Sequence, residues 1–135
     1  MQIKKFLLPL VAVFGVVTVF DLVFHEFIMS KIYLEYSALF RAQDEIQKHS
    51  NLMHIANIIY SSAFCYIYSK GYEPGKSVSQ GIRYAIWISL LLWIPQAIVH
   101  TVIFPYPKIL QISWLIGYVV QTVLAGITVT TTYKE

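Results

Sequence analysis

One uninterrupted apolar run constrains this chain more than any other feature. Between Tyr84 and Phe104 there is no Asp, Glu, Lys or Arg in 21 residues, and a helix of that length extends ~31 Å, about one bilayer hydrocarbon core. The run therefore predicts a transmembrane helix. Pro95 near its middle predicts a kink rather than a stop, because neighbouring helices can re-satisfy the backbone group it frees. Ser89, Trp93, Gln96 and His100 recur at intervals of four, three and four, which lines them up on one face, turned toward other helices.

Only 13% of the 135 residues are charged and 57% are hydrophobic, so too little polar sequence remains to cover several apolar helices in water. The sequence predicts an all-α integral membrane four-helix bundle, a single domain over 1–135, with helices at about 6–28, 52–68, 84–104 and 109–130. The opening MQIKKFLLPLVAVFGVVTVF has the charged start and apolar run of a signal peptide. No small-x-small cleavage site follows before Asp21 and His25, so it reads as a retained anchor. Residues of about 30–50 place Tyr33, Tyr36, Leu39 and Phe40 at near-helical spacing beside Lys31, Glu35 and Arg41, which predicts an outer interfacial helical segment extending the first helix. Asp44 and Lys48 add an i,i+4 pair.

Ser50 or Asn51 is the expected cap of the second helix, and its Tyr60, Tyr66 and Tyr68 read as an interfacial aromatic belt. The stretch SKGYEPGKSVSQGI, with Gly71, Pro74, Gly75 and Gly81, reads as a loop. On the fourth helix Trp114, Gly117, Gln121, Ala125 and Thr128 share a face on which small residues allow close helix packing.

The formal charge of +3 does not point to nucleic acid, because the ten Lys and Arg residues are scattered among short loops. They bear instead on topology. With the N-terminus inside, Lys4, Lys5, Lys70, Lys76, Arg83 and Lys134 fall on the inner side, and Lys31, Arg41, Lys48 and Lys108 on the outer side. Six against four predicts both termini inside, in a multi-pass protein of the inner (plasma) membrane. The single cysteine, Cys65, excludes an intrachain disulfide and reads as a small buried hydrophobe.

That topology brings His25, His54 and His100 to one depth in the outer leaflet. Asp21 precedes His25 by four residues, Gln96 precedes His100 by four and Asn57 follows His54 by three, so each imidazole has a polar neighbour on its own helical face. Asp21, the deepest carboxylate, has His25 as its expected partner. Histidines from separate helices can ligate a haem, or bind zinc or copper with Glu26 and Met29 or Met53 nearby, and an Asp21 carboxylate would orient its imidazole. They can equally line a quinone, lipid or proton-handling pocket, or merely hydrogen-bond across helices. His25 and Glu26 project ~100° apart on a helix and need not share a site. No catalytic residues emerge: Ser61 and Ser62 lack a GxSxG elbow, and no glycine-rich phosphate loop exists. Trp87 and Trp93, six residues apart, point to different sides.

The stretches HEFIMSKIYLEYSALFR, QGIRYAIWISLLLWIPQAIVH and FPYPKILQISWLIGYVVQTVLAGI together resemble a group of small bacterial four-span membrane proteins of no assigned activity. The pattern is a histidine closing span one, a Gly-x-Arg-Tyr entry to span three and Pro-x-Pro before span four. The resemblance implies a bacterial inner-membrane four-helix protein and carries no catalytic residues with it. Three functions remain open: an accessory or assembly subunit of a larger membrane complex; a haem-, metal- or quinone-binding protein using the histidines; or a small oligomeric transporter or channel with Asp21 and His100 lining a shared cavity. The expected partners are the lipid bilayer and other membrane subunits or a second copy. The topology is checked by thiol labelling. Cysteines placed at Ser37 and Ser77 are expected to react with impermeant reagents from opposite sides, outer and inner, and the reverse pattern would invert the orientation.

Overall fold

A computed structural model describes residues 3–75 and 77–133, so Lys76 and Lys134, both counted on the inner side, lie outside the described residues. The described residues are helical with no strand: α1 (Ile3–Val23) continued by a π turn (Phe24–Ile28), α2 (Ser30–Glu35), a 3-10 turn (Ser37–Leu39), α3 (Gln43–Lys48), α4 (Ser50–Lys70), α5 (Val78–Ile103) and α6 (Lys108–Thr132). Three helices are long and apolar enough to cross a membrane, Lys5–Ile28, Val78–Ile103 and Lys108–Thr132. The fourth predicted span, α4, has 21 residues but is not among them. Asn51, His54, Asn57, four serines and three tyrosines interrupt its aliphatic residues.

The long helices run alternately up and down. Val17 and Asp21 of α1 face Gln121 of α6, Asp21 faces Asn57 of α4, and Trp93 of α5 faces Thr122 of α6. α6 packs on both α5 and α1, and α1 also packs on α4. The closest approach is between α5 and α6, where a Cβ placed on Gly81 would overlap the Gly126 carbonyl and one on Gly126 would overlap the Gly81 carbonyl. Gly81 therefore belongs to the first turns of α5 and not to the loop. The helix starts at Val78, six residues before the expected Tyr84. A glycine lowers helix propensity, but here its missing side chain is what lets two backbones touch. α5 continues through Pro95, as the run predicts.

The start of the loop after α4 is held by polar bonds. The buried Gln80 donates from Nε2 to the Gly71 carbonyl at 3.1 Å, and its Oε1 accepts from the Tyr68 hydroxyl at 3.1 Å. Tyr68 also lies 2.6 Å from Thr130 Oγ1, and Tyr84 donates to the Phe64 carbonyl at 2.7 Å. Tyr60 and Tyr68 thus turn inward to α6, and only Tyr66 stays exposed, which corrects the belt reading. A buried phenol carries a large apolar ring and a hydroxyl that needs a partner, and the neighbouring helices supply both.

At the other end the chain breaks where a straight extension of α1 was expected. The Met29 N–H donates to the Phe24 carbonyl at 2.8 Å, closing a wide turn, and the stretch from 30 to 40 folds back over the start of α6, while α3 packs on α4. Phe24, Met29 and Leu110 are buried there beneath Ile32, Tyr33, Phe40 and Trp114. The Asp44 and Lys48 pair forms at 3.7 Å, beside an Arg41 and Glu45 pair at 3.1 Å. Neither Ser50 nor Asn51 caps α4: the boundary residue is His49, whose Nδ1 lies 3.0 Å from the Glu45 carbonyl oxygen.

Replacing Gly126 with Leu is expected to wedge α5 from α6 and to lower stability by about 1–3 kcal/mol, the usual range for overpacking. Gly15→Ala, at a position where a Cβ meets nothing within 4 Å, should be neutral or slightly stabilising. Thermal unfolding of the detergent-solubilised variants distinguishes the two.

Candidate functional site

The π turn positions the first predicted histidine. It holds His25 half-buried while the adjacent Glu26 is exposed, so the two do not share a site. His25 Nδ1 lies 2.6 Å from the Tyr33 hydroxyl, and that hydroxyl accepts from Trp114 Nε1 at 2.8 Å. An indole N–H only donates, so the phenol keeps its own proton free to offer, and Nδ1 can accept it when the imidazole hydrogen sits on Nε2. Burial pushes the Tyr33 phenol up, an effect the Trp114 hydrogen bond partly offsets, which keeps that proton in place at neutral pH. The imidazole and phenol rings also stack, 5.9 Å apart at 10°.

Asp21 makes no hydrogen bond to His25 among the described residues. Asn57 Nδ2 donates to its Oδ2 at 2.9 Å, and Gln121 Nε2 donates to its Oδ1 at 2.5 Å while lying 3.2 Å from the Val17 carbonyl. One carboxylate thereby ties α1 to α4 and α6 through neutral amides. The geometry explains why: Asp21, Asn57 and Gln121 stand at the level where the three helices meet, and amide N–H groups satisfy a carboxylate without introducing a second charge to desolvate. Thr18, one turn before Asp21, and Ser61, one turn after Asn57, keep buried hydroxyls with no protein partner among the described residues.

The other two histidines go elsewhere. His54 lies exposed on the outward side of α4, and the Asn57 expected beside it has turned to Asp21. His100 lines a cavity of about 290 Å³ between the second half of α5 and the first half of α6. Gln96 lines the same cavity, but the two share no hydrogen bond among the described residues. No group of three His, Cys, Asp or Glu among the described residues is placed to hold a metal ion, so His25, His54 and His100 form no such site. Only one histidine faces the cavity, which does not suit a haem held between two imidazoles.

The cavity walls are aromatic. Trp93 stacks on Tyr118 at 4.6 Å and 18°, and Trp93 Nε1 donates to Thr122 Oγ1 at 2.7 Å. Phe104 and Tyr106 stack at 5.3 Å, and Tyr106 meets Trp114 edge-on at 5.7 Å. Gln111 closes one end: its Nε2 donates to the Tyr106 carbonyl at 2.9 Å and its Oε1 accepts from the Thr101 hydroxyl at 2.6 Å. Trp114 is shared between this wall and the Tyr33 and His25 contact. Of these residues, sequence reading singled out Trp93, Gln96 and His100 on α5. On α6 it singled out Trp114, as part of a packing face, and missed Gln111 and Tyr118.

Comparison with known proteins returns no match to a family model, a curated protein or a solved structure.

Two substitutions test the carboxylate clamp. Gln121→Leu is expected to cost about 1–3 kcal/mol by leaving one Asp21 oxygen without its donor. The same change in an Asp21→Leu background should cost less, a coupling that a double-mutant cycle of thermal or denaturant stability reads directly. Additive effects would mean that the pair contributes nothing beyond packing.

Proposed function

We propose that this chain is a four-span protein of the bacterial inner membrane, with both termini inside, acting as an accessory or assembly subunit of a larger membrane complex. The observation that carries the reading is the surface of α4. Its inward side holds Asn57, Tyr60, Ser61, Phe64, Cys65 and Tyr68, and its outward side exposes Leu52, Ile55, Ile58, Ile59 and Ile67 together with His54. A helix too polar on average to be a lipid-facing span, yet aliphatic on its free side, is suited to lie between this chain and a helix of another protein, where a histidine finds a partner that lipid does not offer. The exposed aliphatic residues of α1, α5 and α6 suit lipid. The small-residue contacts inside the fold, the basic residues near the chain ends and the resemblance to four-span bacterial proteins support the same reading.

The test is the state of the protein extracted in mild detergent. A stoichiometric co-purifying membrane subunit, lost in Ile55→Lys and Ile59→Lys variants that remain folded, is the expected outcome. A solitary monodisperse monomer, with a photo-crosslinker at Ile59 labelling lipid alone, would overturn the subunit role.

A further inference from the structure

The cavity between α5 and α6 has a chemistry that an assembly role does not use. Its walls are rings, and no Lys, Arg, Asp or Glu lines it. The Gln96 amide, the His100 imidazole and the Tyr118 hydroxyl all belong to lining residues and make no side-chain hydrogen bond among the described residues. By contrast, the indole of Trp93, the indole of Trp114 and the amide of Gln111 are already engaged with the protein. Two of these lining residues belong to α5 and one to α6, so both helices contribute a polar residue to the cavity.

We propose that this cavity binds the head of an isoprenoid quinone or quinol, a neutral planar ring bearing oxygens at opposite positions. Flat aromatic walls favour offset or edge-on contact with such a ring. The Gln96 amide and the Tyr118 hydroxyl can donate to carbonyl oxygens, and the His100 imidazole can donate through one nitrogen or accept a quinol proton through the other. An anionic lipid head would bring a charge that no lining side chain neutralises. The volume of about 290 Å³ falls just below the roughly 300–1,000 Å³ of ligand pockets, room for one ring and not for a macrocycle. The tail has a path: Gln96 and Phe104 are exposed at the rim, and Ile103, three residues beyond His100, continues that face as an exposed apolar side chain. The inference rests on the membrane reading but is independent of any partner subunit.

The experiment is a titration of the purified chain, in detergent free of native lipid, with a short-tailed benzoquinone, followed by tryptophan fluorescence. Trp87 is 66% exposed on another side of α5, so Trp87→Phe removes that background and leaves Trp93 and Trp114 in the cavity wall as reporters. Saturable quenching is expected, weakened at least tenfold in His100→Ala and in Gln96→Leu, and abolished in Ala97→Phe, which fills the cavity without touching its polar groups. A short-chain phosphatidylglycerol should fail to compete. Circular dichroism and an unchanged thermal transition establish that each variant is folded. As a second readout, a photoreactive azidoquinone should label the 93–118 region and lose that label when excess quinone is present. Quenching that rises linearly and equally in all variants would mean partition into the micelle and overturn the proposal, as would equal competition by the anionic lipid.

Discussion

The backbone contact between Gly81 and Gly126 is the constraint from which most of the structure follows. Two helices that touch carbonyl to glycine at one end cannot also touch at the other if bulky side chains stand between them, and here the other end carries Trp93, Tyr118 and Trp114. The same pair of helices is therefore closed by small residues near the loop at 71–77 and held around an aromatic slot near the loop at 104–107. In lipid, where water gives helices no reason to associate, dispersion contacts of the first kind are a principal source of cohesion. They also fix the register that brings Trp93 within hydrogen-bond distance of Thr122.

The Asp21 clamp works on the remaining helices in a different way. A carboxylate within an apolar span is expensive unless its lone pairs are filled, and Asn57 and Gln121 fill one oxygen each from two different helices. Hydrogen bonds of this kind depend on direction where glycine contacts depend on distance. Together they specify both the separation of α5 from α6 and the rotation of α1 between α4 and α6. The tyrosines of α4 add a third set of directional contacts, to Gln80 of α5 and to Thr122 and Thr130 of α6, and these hold a helix whose composition alone gives it a weak claim to a place in lipid.

Much of this was legible in the sequence wherever one physical cause dominated. The uncharged run from Tyr84, the passage of a helix through Pro95 and the buried face of Trp114, Gly117, Gln121 and Ala125 all follow from periodicity and chain length. Reading failed where two causes gave the same local signal. Gly81 sits among turn-forming residues and looks like one of them, because a packing glycine and a loop glycine are identical until the facing backbone is known. Tyr60 and Tyr68 have the spacing of an interfacial belt, and only the positions of Thr122, Thr130 and Gln80 turn them inward. The pairing of Asp21 with His25 is correct arithmetic for an α-helix. No hydrogen bond joins the two, because amides from two other helices reach the carboxylate and a phenol eight residues on reaches the imidazole. Long-range partners of this kind have no sequence period to reveal them.

The π turn at Phe24–Ile28 also sets the angle between the long apolar helix α1 and the segment that packs on Trp114 of the cavity wall. It accommodates one residue more than an α-helical path needs, so everything after it is rotated by ~100° relative to a continuous helix. That rotation buries Met29 and starts the turn that carries the Tyr33 hydroxyl to both His25 and Trp114. Loss of a single residue from this turn would leave the composition and the apolar length of the segment almost untouched. It would nevertheless swing the covering segment to another side of α6, so the coupling between α1 and the cavity is set by chain length at one point as much as by the identity of any side chain.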